Sequence, residues 1–282
     1  MPDFADPVPD TIPPAPNSAE DVFSAILRDC VSDFDRYLAE FMESPAPEGA
    51  HKTRVALRRL TTALDAFHPL MRTSKAKALR STAKDIFRRL GPVRDADVYH
   101  QTKSGTDTRA AAETATLRDT VRANLRRRGA LEFGPLVLRK LTDGTLLRAG
   151  APGQKLRAAP ASVLAGAAMD RAFAAVGSHG KTLNRMDEVA RHEFRKDLKS
   201  LRYLTDFFPA PDTRPAVATD LAALQDLLGT LNDLANARQR EGKSPKGKAR
   251  RRGKAELAAL QQADVLWTGL RKTAPWWRSL SG

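Results

Sequence analysis

Two stretches of this chain nearly repeat each other. HKTRVALRRLTTALDAFHP begins at His51 and HEFRKDLKSLRYLTDFFP begins at His192. With histidine set on histidine, Arg54 falls on Arg195, Leu57 on Leu198, Arg58 on Lys199, Leu60 on Leu201, Asp65 on Asp206 and Phe67 on Phe208. A Leu-Gly pair follows each block, in LGPVRDADV at Leu90 and LGTLNDLANA at Leu228. The offset from histidine to Leu-Gly is 39 residues in one case and 36 in the other. Two matching blocks at nearly equal spacing indicate a duplicated helical unit. Stacking two such units buries faces that one alone would expose.

The periodicity between these blocks is that of helix throughout. Ala-, Leu- and Arg-rich segments carry apolar residues at three- and four-residue spacing, and β-branched runs are absent, so the fold class is all-α. Helices are predicted over 19–43, 50–68, 74–90, 93–103, 107–128, 131–148, 161–177, 184–208, 215–229, 231–241 and 254–271. Residues 148–160, RAGAPGQKLRAAP, read as a linker between a first half at about 19–149 and a second at about 160–280. Residues 1–16 contain six prolines, so 1–18 read as a disordered acidic tail. With 41% hydrophobic residues over 282 positions, the rest can bury a core. No apolar run approaches the roughly 18 residues of a membrane helix. The acidic, Pro-rich start is unlike a secretory leader, and a single cysteine, Cys30, excludes a disulfide framework. The expected setting is cytoplasmic.

Charge narrows the partners. Lys and Arg total 47 against 33 acids, a net charge of +14. Residues 1–50 hold eleven acids and two bases, leaving 22 acids and 45 bases in the remainder. A body so basic repels itself, and a polyanion relieves the repulsion. Residues 238–254 (RQREGKSPKGKARRRGK) add nine bases with one acid, either as a solvated loop or as an extra arm for the polyanion. The acidic N-terminal segment is a candidate internal competitor for the same surface.

On a helix turning about 100° per residue, His51, Arg54 and Arg58 form one stripe beside the Leu57, Leu60, Leu64 and Phe67 face. His192, Arg195, Lys199 and Arg202 form the matching stripe beside Phe194, Leu198, Leu201 and Phe208. Each stripe borders a buried face, so each should line a groove at the bundle seam. Like charges three and four residues apart cost a helix a few tenths of a kcal/mol per pair, so such a stripe needs a reason. Either acids from other helices pair with it or an anion does. Asp65 and Asp206 are the only acids on the stripes, and each is read as tethering a neighbouring Arg. Lys77, Arg80, Lys84 and Arg88 share a face of the following helix, with Lys77 equally well an ordinary solvated lysine; DLAALQDLL before Leu228 carries no base. The histidines either donate to phosphate or make neutral hydrogen bonds that set helix packing.

These residues resemble the CHAD domain, the conserved histidine α-helical domain. His51 with Arg54, Arg58 and Arg59 is similar to its first signature, and LGPVRDADV to its LG-x-x-RD-x-DV block. His192, Arg195, Lys199 and LRY at 201–203 resemble its second histidine helix, and LQDLLGTLND at 224–233 its second LG block. The resemblance covers about 19–280. It implies two pseudo-symmetric four-helix bundles around a basic cavity or groove, binding to inorganic polyphosphate, and in some members localisation to polyphosphate granules. The binding residues it and the stripes imply are His51, Arg54, Arg58, Arg59, Arg80, Lys84, Arg88, His192, Arg195, Lys196, Lys199 and Arg202. The alternative is a nucleic-acid binder using the basic surface and the 238–254 loop. Two departures stand out: Thr61 where the family often has Arg, and Asn232 where Arg94 has its counterpart. Arg94–Asp95 is read as a structural pair.

Other motifs fail on context. AVGSHGKT at 175–182 fits the permissive phosphate-loop pattern but follows helix, not strand, and reads as a helix end with Gly caps. Glu48–His51 has no second E-x-x-H, because Val189 stands three before His192. No metal, cofactor or catalytic set is expected, and the function is read as non-enzymatic. Trp267, Trp276 and Trp277 have three readings: core, a contact between copies, or neither.

Overall fold

A computed structural model describes residues 17–102, 108–208, 215–240 and 253–281, and among them there is helix and no strand. The N-terminal tail through residue 16 and most of the 238–254 loop (241–252) lie outside the described residues.

The first helix, α1 (Ala19–Glu43), starts where Ser18 Oγ accepts a hydrogen bond from the Asp21 backbone N–H at 3.2 Å, with Glu20 and Asp21 in its first turn. Phe23, Leu27, Phe34, Leu38 and Phe41 recur along one side and are all buried. That side packs against α2 (Pro47–Ala66), which carries the first histidine block and begins with proline at its first position. α3 (Thr73–Arg89) and α4 (Gly91–Thr102) return along α2, joined only by Leu90. α5 (Thr108–Arg127) covers α4, and α6 (Phe133–Thr142) covers α1.

The 148–160 segment is not a linker. Residues Gly150–Ala158 form α7, with Pro152 in its opening turn, where a missing N–H costs little. Gly153 lies so close to Arg148 that a Cβ there would come within 2.4 Å of the Arg148 carbonyl oxygen. A β-bridge between Ser18 and Pro160 then ties the chain back to the start of α1.

In the second half, α8 (Ala161–Ser178) packs on α9 (Glu188–Phe207), the second histidine helix, which starts where Asp187 Oδ1 accepts from the Ala190 N–H at 2.7 Å. α10 (Pro215–Arg240) is one helix where two were predicted. Gly229 interrupts propensity but not geometry, because Thr230 follows it where Pro92 follows Gly91. α11 (Lys254–Thr273) completes the packing. The tryptophans take the core reading. Trp267 is fully buried against Phe173 and Phe194, and Trp277 donates to Asp170 Oδ1 at 2.8 Å. The AVGSHGKT stretch is the end of α8 and the turn after it, where Gly180 holds φ at 120°.

One hydrophobic core runs through both halves. Its crossing point is informative. Phe67 and Phe208, matched residues of the two repeated blocks, meet with ring centroids 5.5 Å apart, and Phe67 also touches Phe23 at 5.1 Å. That contact sits at the C-terminal ends of α2 and α9, which pack on each other and so bring their cationic stripes together.

Candidate functional site

The two stripes line one cavity. Its volume is about 650 Å³, and its walls come from α2, α3 and α9. Arg54, Arg58, Arg80, Lys84, His192, Arg195, Lys196 and Lys199 all line it, with Phe87 and Tyr203 as apolar wall. A cavity of about 190 Å³ adjoins it, sharing Thr62, Asp65 and Ser200 and adding Arg171 of α8, a base outside every repeated motif.

The cations divide by what holds them. Arg80 is ion-paired with Asp65, and Lys196 Nζ with Glu193 Oε2 at 2.7 Å. Arg54 has no ion pair among the described residues but is fixed by protein. Its Nη1 donates to the Phe87 carbonyl at 2.7 Å, and its guanidinium lies 3.8 Å from the Phe87 ring centroid, a cation–π contact. Arg58 and Arg195 are different: neither has an ion pair among the described residues, and the Nε of each is buried with no hydrogen-bond acceptor, as it also is in the ion-paired Arg59 and Arg157. Lys199 lies among them, half-buried, with no ion pair among the described residues.

This crowding shows in the protonation equilibria. Burial, then the charges of Arg58, Arg195, Arg54 and Arg202, push the Lys199 ammonium down to about 7. Burial and then Arg58 lower Arg54 to about 10, with Asp95 opposing. Arg195 is lowered by burial and by Arg58, with Asp233 opposing. His51, at the mouth, is pushed down to about 4 by burial, then Arg94, Arg58, Lys199 and Arg54, so at neutral pH it is an uncharged imidazole. Asp65 moves the other way: burial raises its carboxyl despite Arg80 and Lys84.

Several expected residues sit elsewhere. Arg59 is 100° round the helix from Arg58, and its Nη1 donates to Asp33 Oδ2 of α1 at 2.9 Å, so it ties helices together rather than facing the cavity. Arg88 is exposed at the far end of α3, with Asp85 at 3.8 Å. His51 and Arg202 flank the cavity without lining it; their charges reach Lys199 or are felt from it. Asp65 tethers Arg80 from α3 rather than an arginine of its own helix. The Arg94–Asp95 pair is not formed: Arg94 bears on His51, and Asp95 on Arg54. Arg94 is therefore a cation at the mouth that the sequence reading assigned to structure.

The site is a polybasic cavity in a helical chain, with no metal-binding group of His, Cys, Asp or Glu among the described residues. Residues 25–240 match the CHAD domain, and the chain belongs to that family. No curated protein matches the chain. The fold is similar to the crystal structure of the CHAD domain from the plant Ricinus communis, at 20% identity and a TM-score of 0.61 over 93% of this chain and 89% of that one. PptA from Streptomyces chartreusis aligns at 18% identity and a TM-score of 0.48, over 93% and 97%. No helix among the described residues is long and apolar enough to cross a membrane.

Proposed function

We propose that this protein binds inorganic polyphosphate in the cavity between α2, α3 and α9, without turning it over, and is recruited by it to polyphosphate granules. The observation that carries the reading is the pair of buried, acceptorless Nε–H groups of Arg58 and Arg195 beside an unpaired Lys199. Buried donors are nearly always satisfied, and two unsatisfied ones beside a lysine in one cavity call for an anion. Polyphosphate carries about one charge per internal phosphate and nothing apolar. Its recognition is therefore cationic, with Arg forking onto oxygens and Lys acting as a movable point charge. Helix rows put charges about 5–6 Å apart, a spacing that follows a phosphate chain. Membership of the CHAD family, with its resemblance-based link to polyphosphate, supports the same ligand.

The test is binding of long-chain polyphosphate at physiological salt with RNA and duplex DNA as competitors at equal phosphate. Binding that survives both, and is lost in R58E/K199E with helicity retained, is expected. Equal competition by nucleic acid overturns the reading in favour of a generic basic surface with the 238–254 loop. A chain-length profile that shortens with Mg²⁺ overturns its non-enzymatic part.

A further inference from the structure

Lys199 is set apart from the other lysines by its surroundings. It faces the cavity from the middle of α9, with Arg54 and Arg58 opposite on α2 and Arg195 and Arg202 on its own helix. His51 stands at the mouth, and Arg80 and Lys84 form the α3 wall. No carboxylate pairs with it among the described residues: Asp65 is taken by Arg80, Glu193 by Lys196, and Asp197, which also lines the cavity, by His179 at 2.7 Å. An amine desolvated among cations is the arrangement that makes lysine a nucleophile at neutral pH, because the unprotonated form is populated there. Beside it, the Nε–H groups of Arg58 and Arg195 are donors awaiting phosphate oxygens.

We propose that Lys199 is an acylation site, its amine taking the acyl group from a small acyl phosphate held in the cavity. The unprotonated Nζ attacks the carbonyl carbon, and the bond from that carbon to the phosphate oxygen breaks. Phosphate leaves with the electron pair, and the proton shed by nitrogen passes to it. Orientation comes from Arg58 and Arg195, which fix the phosphate end and leave the acyl carbon toward Lys199. The amide formed cannot be protonated, so the cavity loses the cation that a bound polyanion would otherwise restore at Lys199. That last consequence, weaker polyphosphate binding, rests on the function proposed above; the acylation does not.

The experiment treats the full chain with acetyl phosphate at pH 7.5 and follows each lysine by peptide mass spectrometry. Lys199 is expected to react at least about tenfold faster than exposed Lys75 and ion-paired Lys196, because far more of its amine is unprotonated. Rates no higher than Lys75 overturn the proposal. Acetic anhydride, which carries no phosphate, should show a smaller preference for Lys199, and R58Q should slow Lys199 alone. An equal preference with the anhydride, or no change in R58Q, overturns the phosphate-directed step. Tripolyphosphate should protect Lys199. Fast acylation without protection keeps the acylation site and removes polyphosphate from the cavity; protection of a slow lysine does the reverse.

Discussion

Arginine is buried in two ways in this molecule. On α5, Arg118 donates to Asp97 Oδ1 of α4 at 2.6 Å and to the Ala46 carbonyl at 3.3 Å, and both side chains of the pair are about 95% shielded from water. Around the cavity, Arg58 and Arg195 make no ion pair among the described residues, and the Nε of each is buried without an acceptor, although the Asp233 charge reaches Arg195. The first arrangement pairs opposite charges within the fold and clasps α4, α5 and the start of α2, with Asp97 Oδ2 left without a hydrogen-bond partner. The second has no such pair. A folded chain tolerates uncompensated desolvated cations only where something else outweighs them, and here that is the shared core of α2 and α9 beneath them. On the function proposed above, the difference separates cations that hold the structure from cations left for a ligand.

The sharpest way to break that distinction is to delete one member of each kind. R118A should strand the Asp97 carboxylate, whose pKa is already raised by burial despite Arg118, Arg94 and His100, and lower stability by about 3–5 kcal/mol in urea unfolding. R58Q should act with the opposite sign. Removing a charge repelled by Arg54, Arg195 and Lys199 should stabilise the free protein by about 0.5–2 kcal/mol while weakening polyphosphate binding. It should also flatten the salt dependence of binding by about one unit of log–log slope, using a relation calibrated on DNA. If R58Q destabilises the free protein as R118A does, Arg58 is a structural arginine.

Protonation sharpens the comparison further. Lys199 sits at about 7 in the fold and near 10.4 in an unfolded chain. Between those values the unfolded chain holds a proton that the folded chain has lost, so this lysine's contribution to stability rises with pH across the window; below pH 7 the fold bears its charge in full. A bound polyanion favours the charged form. Affinity should therefore fall as pH rises from 7 to 9, by at most tenfold per unit. Calorimetry at pH 8 in buffers of different ionisation enthalpy should show close to one proton taken up, and none in K199M. His51 gives a smaller signal of the same origin. A ligand that offsets Arg94, Arg58, Lys199 and Arg54 should raise its titration from about 4 toward the ordinary value, visible in the histidine NMR resonances.

The convergence of the stripes was legible because two unlike demands shared one helix. Leucines at one angle had to be buried, and bases at a neighbouring angle had to border them, which leaves little choice about where Arg58 and Lys199 lie. Arg59 was misplaced because a family signature carries residue types but not the 100° that turns this one toward Asp33. Arg94 was missed because its orientation depends on how α4 leaves α3, a tertiary matter decided around Leu90 and Gly91. Likewise the helix at Gly150–Ala158 hid behind Gly and Pro, whose punctuation is ambiguous when the proline falls in a first turn.

The two Leu-Gly pairs offer the finest test, because their glycines have different reasons to be glycine. A Cβ on Gly91 would meet Arg54 Nη1 at 3.2 Å, so the bare backbone there lets the guanidinium lie over Phe87 and reach the Phe87 carbonyl. A Cβ on Gly229 would meet nothing within 4 Å. G229A should therefore only improve a helix interior, raising stability by roughly 1 kcal/mol with polyphosphate affinity unchanged. G91A should push Arg54 off its seat by a few tenths of an ångström, giving up much of the same helix gain and weakening binding severalfold. Side-by-side melting and binding of the two variants decides it. If G91A and G229A behave alike, the second Leu-Gly pair positions its own stripe as the first does, and the asymmetry between the halves at this motif is gone.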